Sequence, residues 1–224
     1  MDRRDEDKRA AALAAVEYVK DGMTVGLGTG STAKFAIEEI GRRGLKVRGV
    51  PTSEGSAKIA RAAGIPLPPL SEIDRIDLTI DGADEIDPRL RLIKGGGGAL
   101  LREKIVAAAS DQMIVVADRG KLVPVLGAFP LPVEVSPFGW NLTARKIEAL
   151  GCPVGLRTQD GAPVVTDGGN YVLDCRFGRI DDAEGLAARL AAIPGVFEHG
   201  LFIGLATRAI VADGGRVEVV EPIR

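Results

Sequence analysis

The chain has few of the residues that build metal centres and disulfide networks. It contains two cysteines, Cys152 and Cys175, and one histidine, His199, in 224 residues. The cysteines lie far apart, and neither belongs to a CxxC pair or a Cys–His spacing, so the ligand pattern of a zinc site is missing. We therefore predict two buried free thiols rather than a disulfide, as is usual in the reducing cytoplasm, and no bound metal.

Neither sign of charge is in large excess, and long apolar runs are missing. The 29 Lys and Arg residues and the 31 Asp and Glu residues give a net charge of −2, so no broad positive surface is expected for nucleic acid. No apolar run approaches the ~20 residues of a membrane span, and residues 1–9 lack the apolar segment of a signal peptide. We expect a cytoplasmic protein that binds neither nucleic acid nor a membrane.

Two acids follow an apolar segment in the middle of the chain. Residues 76–80 have the apolar, β-branched composition of a short strand, and Asp81 and Asp84 come directly after it. Ligands of open α/β sheets bind just beyond the carboxyl ends of the strands, which is where these acids fall. The two carboxylates are therefore candidate functional groups.

A lysine, a glycine run and a helical pattern come next. Lys94 and residues 95–98, all glycine, precede a predicted helix over residues 99–109. The residues with helical spacing that we predict to form its buried stripe are Leu101, Ile105 and Ala108. Glu103 lies off that stripe. Because free backbone N–H groups and a helix start attract anions, this stretch combines an anion site with three carboxylates. That combination indicates proton transfer on a small phosphorylated compound, without metal or cofactor.

A second glycine-rich turn lies near the N-terminus. Residues 24–27 have a strand pattern, and Gly28 to Thr32 lead into a predicted helix. The turn also fits the dinucleotide pattern G-x-G-x-x-A. However, the next predicted strand, residues 46–50, ends without an acid for a ribose diol, and Ser31 beside Thr32 suits a single phosphate. We favour a phosphate monoester over NAD at this turn.

The order of elements changes near residue 130. Residues 131–202 show strand and helix patterns in the order β-α-β-β-α-β, which is typical of ferredoxin-like units. Residues 211–220, with turn residues at 213–215, predict a hairpin that can return to the first sheet.

Four segments match a known set of signature sequences. They are I-D-G-A-D-E-I at 80–86, K-G-G-G-G-A-L-L-R-E-K-I at 94–105, G-L-G-T-G-S-T at 26–32 and F-P-L-P-V-E-V at 129–135. Together they resemble the type A ribose-5-phosphate isomerase family, in the same order and over nearly the whole chain. The resemblance implies an α/β fold with a doubly wound, Rossmann-like domain, residues 1–129 and 206–224. A smaller ferredoxin-like α+β domain, residues 130–205, would be inserted in it.

The resemblance also implies an activity and a set of site residues. The enzyme would interconvert ribose 5-phosphate and ribulose 5-phosphate through a cis-enediol(ate), in the non-oxidative pentose phosphate pathway, without a metal or cofactor. Glu103 would be the base, and Lys94 would offset the oxyanion. Asp81 would assist ring opening, and Asp84 would support it by hydrogen bonding. The substrate-binding residues would be Thr29, Gly30, Ser31, Thr32, Asp81, Gly82, Ala83, Asp84, Lys94, Gly95, Gly96, Gly97, Lys121 and Lys8.

The predicted role of Glu103 carries a condition. A basic Glu103 needs a pKa above its usual ~4.3. A position near a helix start lowers the pKa of a carboxyl group, so the effect of burial, which raises it, must be the larger one.

Lys8 is the weaker phosphate candidate, because a lysine near the N-terminus is usually solvated. The family also implies a homodimer or homotetramer, for which Leu131 to Val135 and Phe138 to Trp140 offer apolar surface.

Two other functions fit a fold of this kind. A sugar-phosphate sensor of a transcription regulator binds without converting its ligand. We would expect such a sensor to carry a helix-turn-helix domain, for which there is no room before residue 24. A sensor function would also give Glu103 no role. An acyl-CoA transferase uses a glutamate nucleophile on a related fold. Formation of a ketose from ribose 5-phosphate separates these alternatives.

Overall fold

The computed structural model describes residues 3–223. Within this range the α-helices are α1 (Arg3–Val16), α2 (Ser31–Arg42), α3 (Glu54–Ala62), α4 (Leu100–Ala108), α5 (Trp140–Glu148) and α6 (Ala183–Ala191). The strands are β1 (Thr24–Leu27), β2 (Arg48–Pro51), β3 (Leu78–Asp81), β4 (Glu85–Ile86), β5 (Leu92–Ile93), β6 (Met113–Asp118), β7 (Leu131–Val135), β8 (Val154–Leu156), β9 (Thr158–Gln159), β10 (Ala162–Pro163), β11 (Tyr171–Cys175), β12 (Val196–His199), β13 (Leu201–Phe202), β14 (Arg208–Asp213) and β15 (Arg216–Val220).

The large sheet has six strands in the order β15-β14-β6-β3-β1-β2. Its neighbouring strands are parallel, except that β14 and β15 form an antiparallel hairpin. The C-terminal hairpin therefore returns to the first sheet, as predicted. Strands β1, β3 and β6 are buried along their whole length, as expected for apolar parallel strands that are covered on both faces.

Both faces of the large sheet are covered, which makes the domain doubly wound as predicted. Alternate residues of β6 point to opposite faces. Ile114 and Val116 pack in the cluster formed with α1 and α2. Val115 and Ala117 pack on the other face, where Ala107 of α4 belongs to the same cluster.

The small sheet has the order β12-β7-β11-β8, and all its pairs are antiparallel. With α5 after β7 and α6 after β11, this is the predicted ferredoxin-like topology. Ile147 of α5 and Leu190 of α6 pack with Val133 and Leu173 of the sheet in a second core. We call this four-stranded sheet with α5 and α6 the small unit. The domain bounds at 129–130 and 205–206 stay a prediction.

The last strand of the predicted β-α-β-β-α-β order, residues 196–202, is in fact two strands. β12 belongs to the four-stranded sheet and ends at His199. β13 lies outside that sheet and pairs with β5 in a separate three-stranded sheet, β13-β5-β4. The backbone N–H of Lys94, directly after β5, donates to Gly200 O at 2.9 Å. The three-stranded sheet and the turn before β13 therefore fix the backbone of Lys94, a predicted site residue.

Two predictions about burial are wrong. Helix α4 buries Leu100, Glu103, Val106 and Ala107, whereas Ile105 is 51% exposed, so its buried face differs from the predicted Leu101, Ile105 and Ala108 stripe. Strand β7, Leu131–Val135, is buried throughout, because Leu131, Val133 and Val135 pack in the core of the small unit and Glu134 accepts hydrogen bonds from Thr166 and Asn170. It offers no surface to a partner subunit.

Both cysteines are free and buried, as predicted. Among residues 3–223, no helix has the length and apolar character needed to cross a membrane. The same residues contain no group of three or more His, Cys, Asp or Glu side chains placed to hold a metal ion.

Candidate active site

The carboxyl ends of three neighbouring strands meet at one edge of the large sheet. Strands β1, β3 and β6 are parallel and in register, with Leu27 beside Ile80 and Asp81 beside Val115. The segments that follow them surround a cavity of about 290 Å³. Its lining residues are Arg4, Lys8, Thr29, Gly30, Ser31, Thr32, Gly82, Ala83, Asp84, Lys94, Gly95, Gly96, Gly97, Glu103, Ala117, Asp118 and Lys121. Every predicted site residue except Asp81 borders this cavity.

Asp81 lies behind the cavity wall and is fully buried. Its Oδ1 accepts hydrogen bonds from the N–H groups of Gly82 at 2.7 Å and Thr29 at 3.1 Å. A Cβ atom on Gly28 would overlap the Asp81 carboxylate, so a glycine is needed at that turn. Burial raises the pKa of Asp81, against the lowering effects of Lys94 and of the two N–H groups.

Lys94 joins Asp81 to the cavity. Its Nζ lies 3.0 Å from Asp81 Oδ2 and 3.3 Å from Glu103 Oε2, and its side chain is 3% exposed. It donates a hydrogen bond to Gly82 O at 2.6 Å, and the ring of Phe202 lies 5.4 Å away. Burial acts to lower the pKa of Lys94, but the charges of Asp81 and Glu103 outweigh it and raise that pKa. The lysine is therefore held as a cation between two carboxylates.

Glu103 lies on the buried face of α4, and 4% of it is exposed. Burial, followed by the charge of Asp81, raises its pKa to about 8, against the opposing effect of Lys94. The effect of burial on the pKa of Glu103 is therefore larger than the opposing effect of the helix start. This is the condition that a basic Glu103 had to meet. Its Oε2 and the Oδ2 of Asp81 have no aligned hydrogen-bond donor among the described residues.

Asp84 binds the glycine loop, as we call residues 95–98. Its Oδ2 accepts a hydrogen bond from the Gly96 N–H at 2.8 Å, and its own N–H donates to Ile93 O at 2.8 Å. A Cβ atom on Gly96 would lie 2.7 Å from Asp84 Oδ1, so no larger residue fits there without moving the carboxylate. Gly95 has a φ of 104°, which favours glycine.

The start of α2 forms another part of the cavity wall and has the features of an anion site. Helix α2 begins at Ser31 after Gly30, so the N–H groups of its first turn have no acceptor within the helix. Thr29 Oγ1 is fixed by the hydroxyls of Thr52 at 2.7 Å and Ser53 at 2.8 Å. These two hydroxyl residues follow β2, where a dinucleotide site would place an acid, so the geometry favours the phosphate prediction over NAD.

Three lining residues were missed by the sequence reasoning: Arg4, Ala117 and Asp118. Arg4 Nε donates to Asp118 Oδ2 at 3.4 Å. The position of Asp118 at the end of β6 was the available signal, because Asp81 and Asp84 were predicted from their place at the carboxyl end of a strand. Lys8 lines the cavity with its side chain 17% exposed and pairs with Asp5 at 3.0 Å, so it is less solvated than expected.

Fold and site together define an α/β enzyme with a buried carboxylate–lysine group beside a glycine-rich turn at a helix N-terminus. The profile of the family "ribose 5-phosphate isomerase A (phosphoriboisomerase A)" matches residues 48–215. The ribose-5-phosphate isomerase A of Bradyrhizobium diazoefficiens is 57% identical, over 97% of this chain and 96% of that protein. That of Gloeobacter violaceus is 58% identical, over 96% of each. The chain belongs to the ribose 5-phosphate isomerase A family.

Solved structures agree with this assignment. A D-ribose-5-phosphate isomerase in complex with phospho-erythronic acid has a TM-score of 0.94 and 39% identity, covering 97% of this chain and 99% of that chain. Ribose 5-phosphate isomerase A from Neisseria gonorrhoeae also has a TM-score of 0.94 and 39% identity, covering 99% of this chain and 98% of that chain. The two-part α/β architecture is therefore that of the family.

Proposed function

We propose that this enzyme interconverts ribose 5-phosphate and ribulose 5-phosphate, a reaction of the pentose phosphate pathway. The observation that carries the proposal is the position of Lys94, held between Asp81 and Glu103 and bordering the cavity. An aldose–ketose isomerase needs a base for a carbon-bound proton and a cation for the oxyanion that forms. Glu103 and Lys94 supply this pair in one place.

In the proposed reaction Glu103 acts first as a base. Its carboxylate takes the proton from C2 of the open-chain aldose, and the electron pair of the broken C–H bond forms the C1–C2 double bond. The C1 oxygen becomes an enediolate oxygen, which Lys94 stabilises. A proton moves from the C2 oxygen to the C1 oxygen, and Glu103 returns its proton to C1 to give the ketose. Atoms and charge balance without a metal or redox cofactor.

The two aspartates support this transfer in different ways. Asp84 borders the cavity and is held by the Gly96 N–H, so we propose that it contacts the substrate hydroxyls. Asp81 is buried behind Lys94. Any part that it takes in ring opening or in proton movement between oxygens would therefore pass through Lys94 or need a shift of that side chain.

The substrate phosphate is proposed to bind at the start of α2. Ser31 and Thr32 there offer hydroxyls and N–H groups, and Lys8 and Lys121 border the same cavity. Binding energy from this remote group would hold C1 and C2 against Glu103.

Ketose formation tests the proposed function. Wild-type enzyme should convert ribose 5-phosphate and act very poorly on ribose. Thr32→Val should raise KM for ribose 5-phosphate, while Thr158→Val, an exposed threonine of β9, serves as the matched control. Comparable kcat/KM values for ribose and ribose 5-phosphate, or no ketose at all, would overturn the proposal.

We also propose a homodimer or homotetramer in the cytoplasm. Phe138 is 93% exposed and Leu142 is 59% exposed on the small unit, which supports an apolar contact there. The two free, buried cysteines suit a reducing compartment. Light scattering should give a multiple of the chain mass at micromolar protein, and Phe138→Ser should shift it toward the monomer. A monomer mass for the wild type would count against the oligomer.

A further inference from the structure

Arg157 of the small unit contacts the glycine loop from outside the cavity. It lies between β8 and β9, and its side chain is 15% exposed. Its Nη1 donates to Gly95 O at 2.8 Å and to Gly96 O at 3.1 Å. Arg157 does not border the cavity, whereas both glycines do. Any effect on the substrate must therefore pass through the loop.

The guanidinium group is fixed on its other side by Asp174. Arg157 Nη2 donates to Asp174 Oδ1 at 2.5 Å, and Nε donates to Asp174 Oδ2 at 3.1 Å. Such a forked pair fixes the plane of the guanidinium group. The backbone is fixed as well, since the Arg157 N–H donates to Val172 O at 2.8 Å and Arg157 O accepts from the Val164 N–H at 2.9 Å. The Nη1 donor therefore has a set direction.

That direction determines where two loop amides point. In a trans peptide the C=O of one residue and the N–H of the next point in opposite directions. Because Gly95 O points to Arg157, the Gly96 N–H points away from it, and it donates to Asp84 Oδ2 at 2.8 Å. Because Gly96 O also points to Arg157, the Gly97 N–H points away too. Within residues 3–223 that N–H has no protein acceptor.

We propose that Arg157 is a positioning residue for the active site. By binding the carbonyls of Gly95 and Gly96, it directs the Gly96 N–H to Asp84 and leaves the Gly97 N–H for the substrate. Without this anchor, Gly95 O keeps only the Gly98 N–H, at 3.0 Å, and Gly96 O loses its one donor among residues 3–223, so the glycine peptide planes can rotate at lower cost. The proposal rests on the proposed isomerase function, and it gives the small unit a part in the chemistry of the large domain.

Substitutions of Arg157, Asp84 and Arg176 test this role. Arg157→Ala should lower kcat/KM about 10- to 100-fold, because small displacements of positioning groups have effects of that size. Arg157→Lys should lose nearly as much, since an ammonium group cannot form the fork. Arg176→Ala, an exposed arginine just after β11, is the matched control and should stay near wild type. In an Asp84→Asn background, Arg157→Ala should cost much less than in the wild type.

Two further readouts separate positioning from general stability. Added guanidinium ion should restore part of the activity of Arg157→Ala and none of that of Asp84→Asn. Amide hydrogen exchange over residues 95–98 should be faster in Arg157→Ala. Full additivity with Asp84→Asn, or unchanged exchange in the loop with near wild-type kcat/KM, would overturn the proposal. If Arg157→Ala does not fold, Arg157→Lys takes its place in the additivity test with Asp84→Asn and in the amide exchange measurement over residues 95–98.

The exchange experiment also separates this proposal from the proposed function. Wild-type protein that fails to convert ribose 5-phosphate would remove the proposed function. Faster exchange in the loop on loss of Arg157 would still support the anchoring contact, and unchanged exchange would contradict it.

Discussion

Lys94 and Glu103 are 3.3 Å apart, between Nζ and Oε2, yet the pKa of Glu103 is raised to about 8. A lysine this close lowers the pKa of a carboxyl group, but the burial of Glu103 and the charge of Asp81 outweigh it. Lys94 is shared between two carboxylates and neutralises neither fully. The result is a carboxylate basic enough to take a carbon-bound proton.

The first prediction concerns the pH dependence of the rate. The proposed base, Glu103, can take a proton only when it is ionised, and its pKa is about 8. The value of kcat/KM for ribose 5-phosphate should therefore rise with pH and level off above about 8. Steady-state assays from pH 6 to pH 9.5, in buffers of constant ionic strength, measure this. A flat profile across that range would contradict the raised pKa.

The second prediction concerns stability. A carboxyl group whose folded pKa of about 8 lies well above its ordinary value stabilises the fold fully below that ordinary value. That contribution is lost as pH rises through about 8. Glu103→Gln has no such group, so its free energy of unfolding relative to wild type should increase between pH 5 and pH 9. At roughly 1.4 kcal/mol per pKa unit the change should be a few kcal/mol.

Urea unfolding at the two pH values measures this difference. Glu72→Gln, at an exposed position, is the matched control and should show the same pH dependence as the wild type. An equal shift for both variants would mean that the Glu103 pKa is not raised in the folded protein.

The third prediction concerns the glycine loop. In Gly96→Ala the new Cβ would meet Asp84 Oδ1 at 2.7 Å, so the carboxylate must move. We expect kcat/KM to fall about 10- to 100-fold. Gly55→Ala is the control, because its Cβ would make an ordinary 3.5 Å contact with Ser53 Oγ. Equal activity of the two variants would argue against a role for the Gly96–Asp84 contact.

The fourth prediction concerns metal ions. Lys94 already places a positive charge 3.0 Å from Asp81 and 3.3 Å from Glu103, so a divalent cation would be repelled from the same carboxylates. Activity should survive exhaustive treatment with EDTA. Loss of activity with chelator and its return with Mg²⁺ or Mn²⁺ would instead make these acids metal ligands.

Strand ends were the part of the site that the sequence predicted well. Thr29, Asp84 and Lys121 follow three different strands and border one cavity, because parallel neighbours end at the same edge of a sheet. The domain order was also readable, since hydrophobic periodicity distinguishes β-α-β-β-α-β from the pattern before it. These features depend on local sequence and on general rules of α/β topology.

Contacts between distant segments could not be predicted in the same way. A hydrophobic stripe through Leu101 and Ile105 was a reasonable choice, because it keeps Glu103 away from the core. The buried face contains Glu103 instead, since Lys94 supplies the positive charge that a buried carboxylate needs. Arg157 gave no local signal at all. The role proposed for it depends on a contact with Gly95 across 62 positions of the chain.

The most direct test of the account is kcat for Glu103→Gln with ribose 5-phosphate. The substitution keeps size and hydrogen bonding but removes the proposed base. We expect kcat to fall by at least ~10²- to 10⁴-fold with a much smaller change in KM, while Glu72→Gln stays near wild type. With wild-type enzyme, part of the label of C2-tritiated substrate should appear at C1 of the product. If Glu103→Gln keeps more than about a tenth of the wild-type kcat, the base is another residue and the account is contradicted.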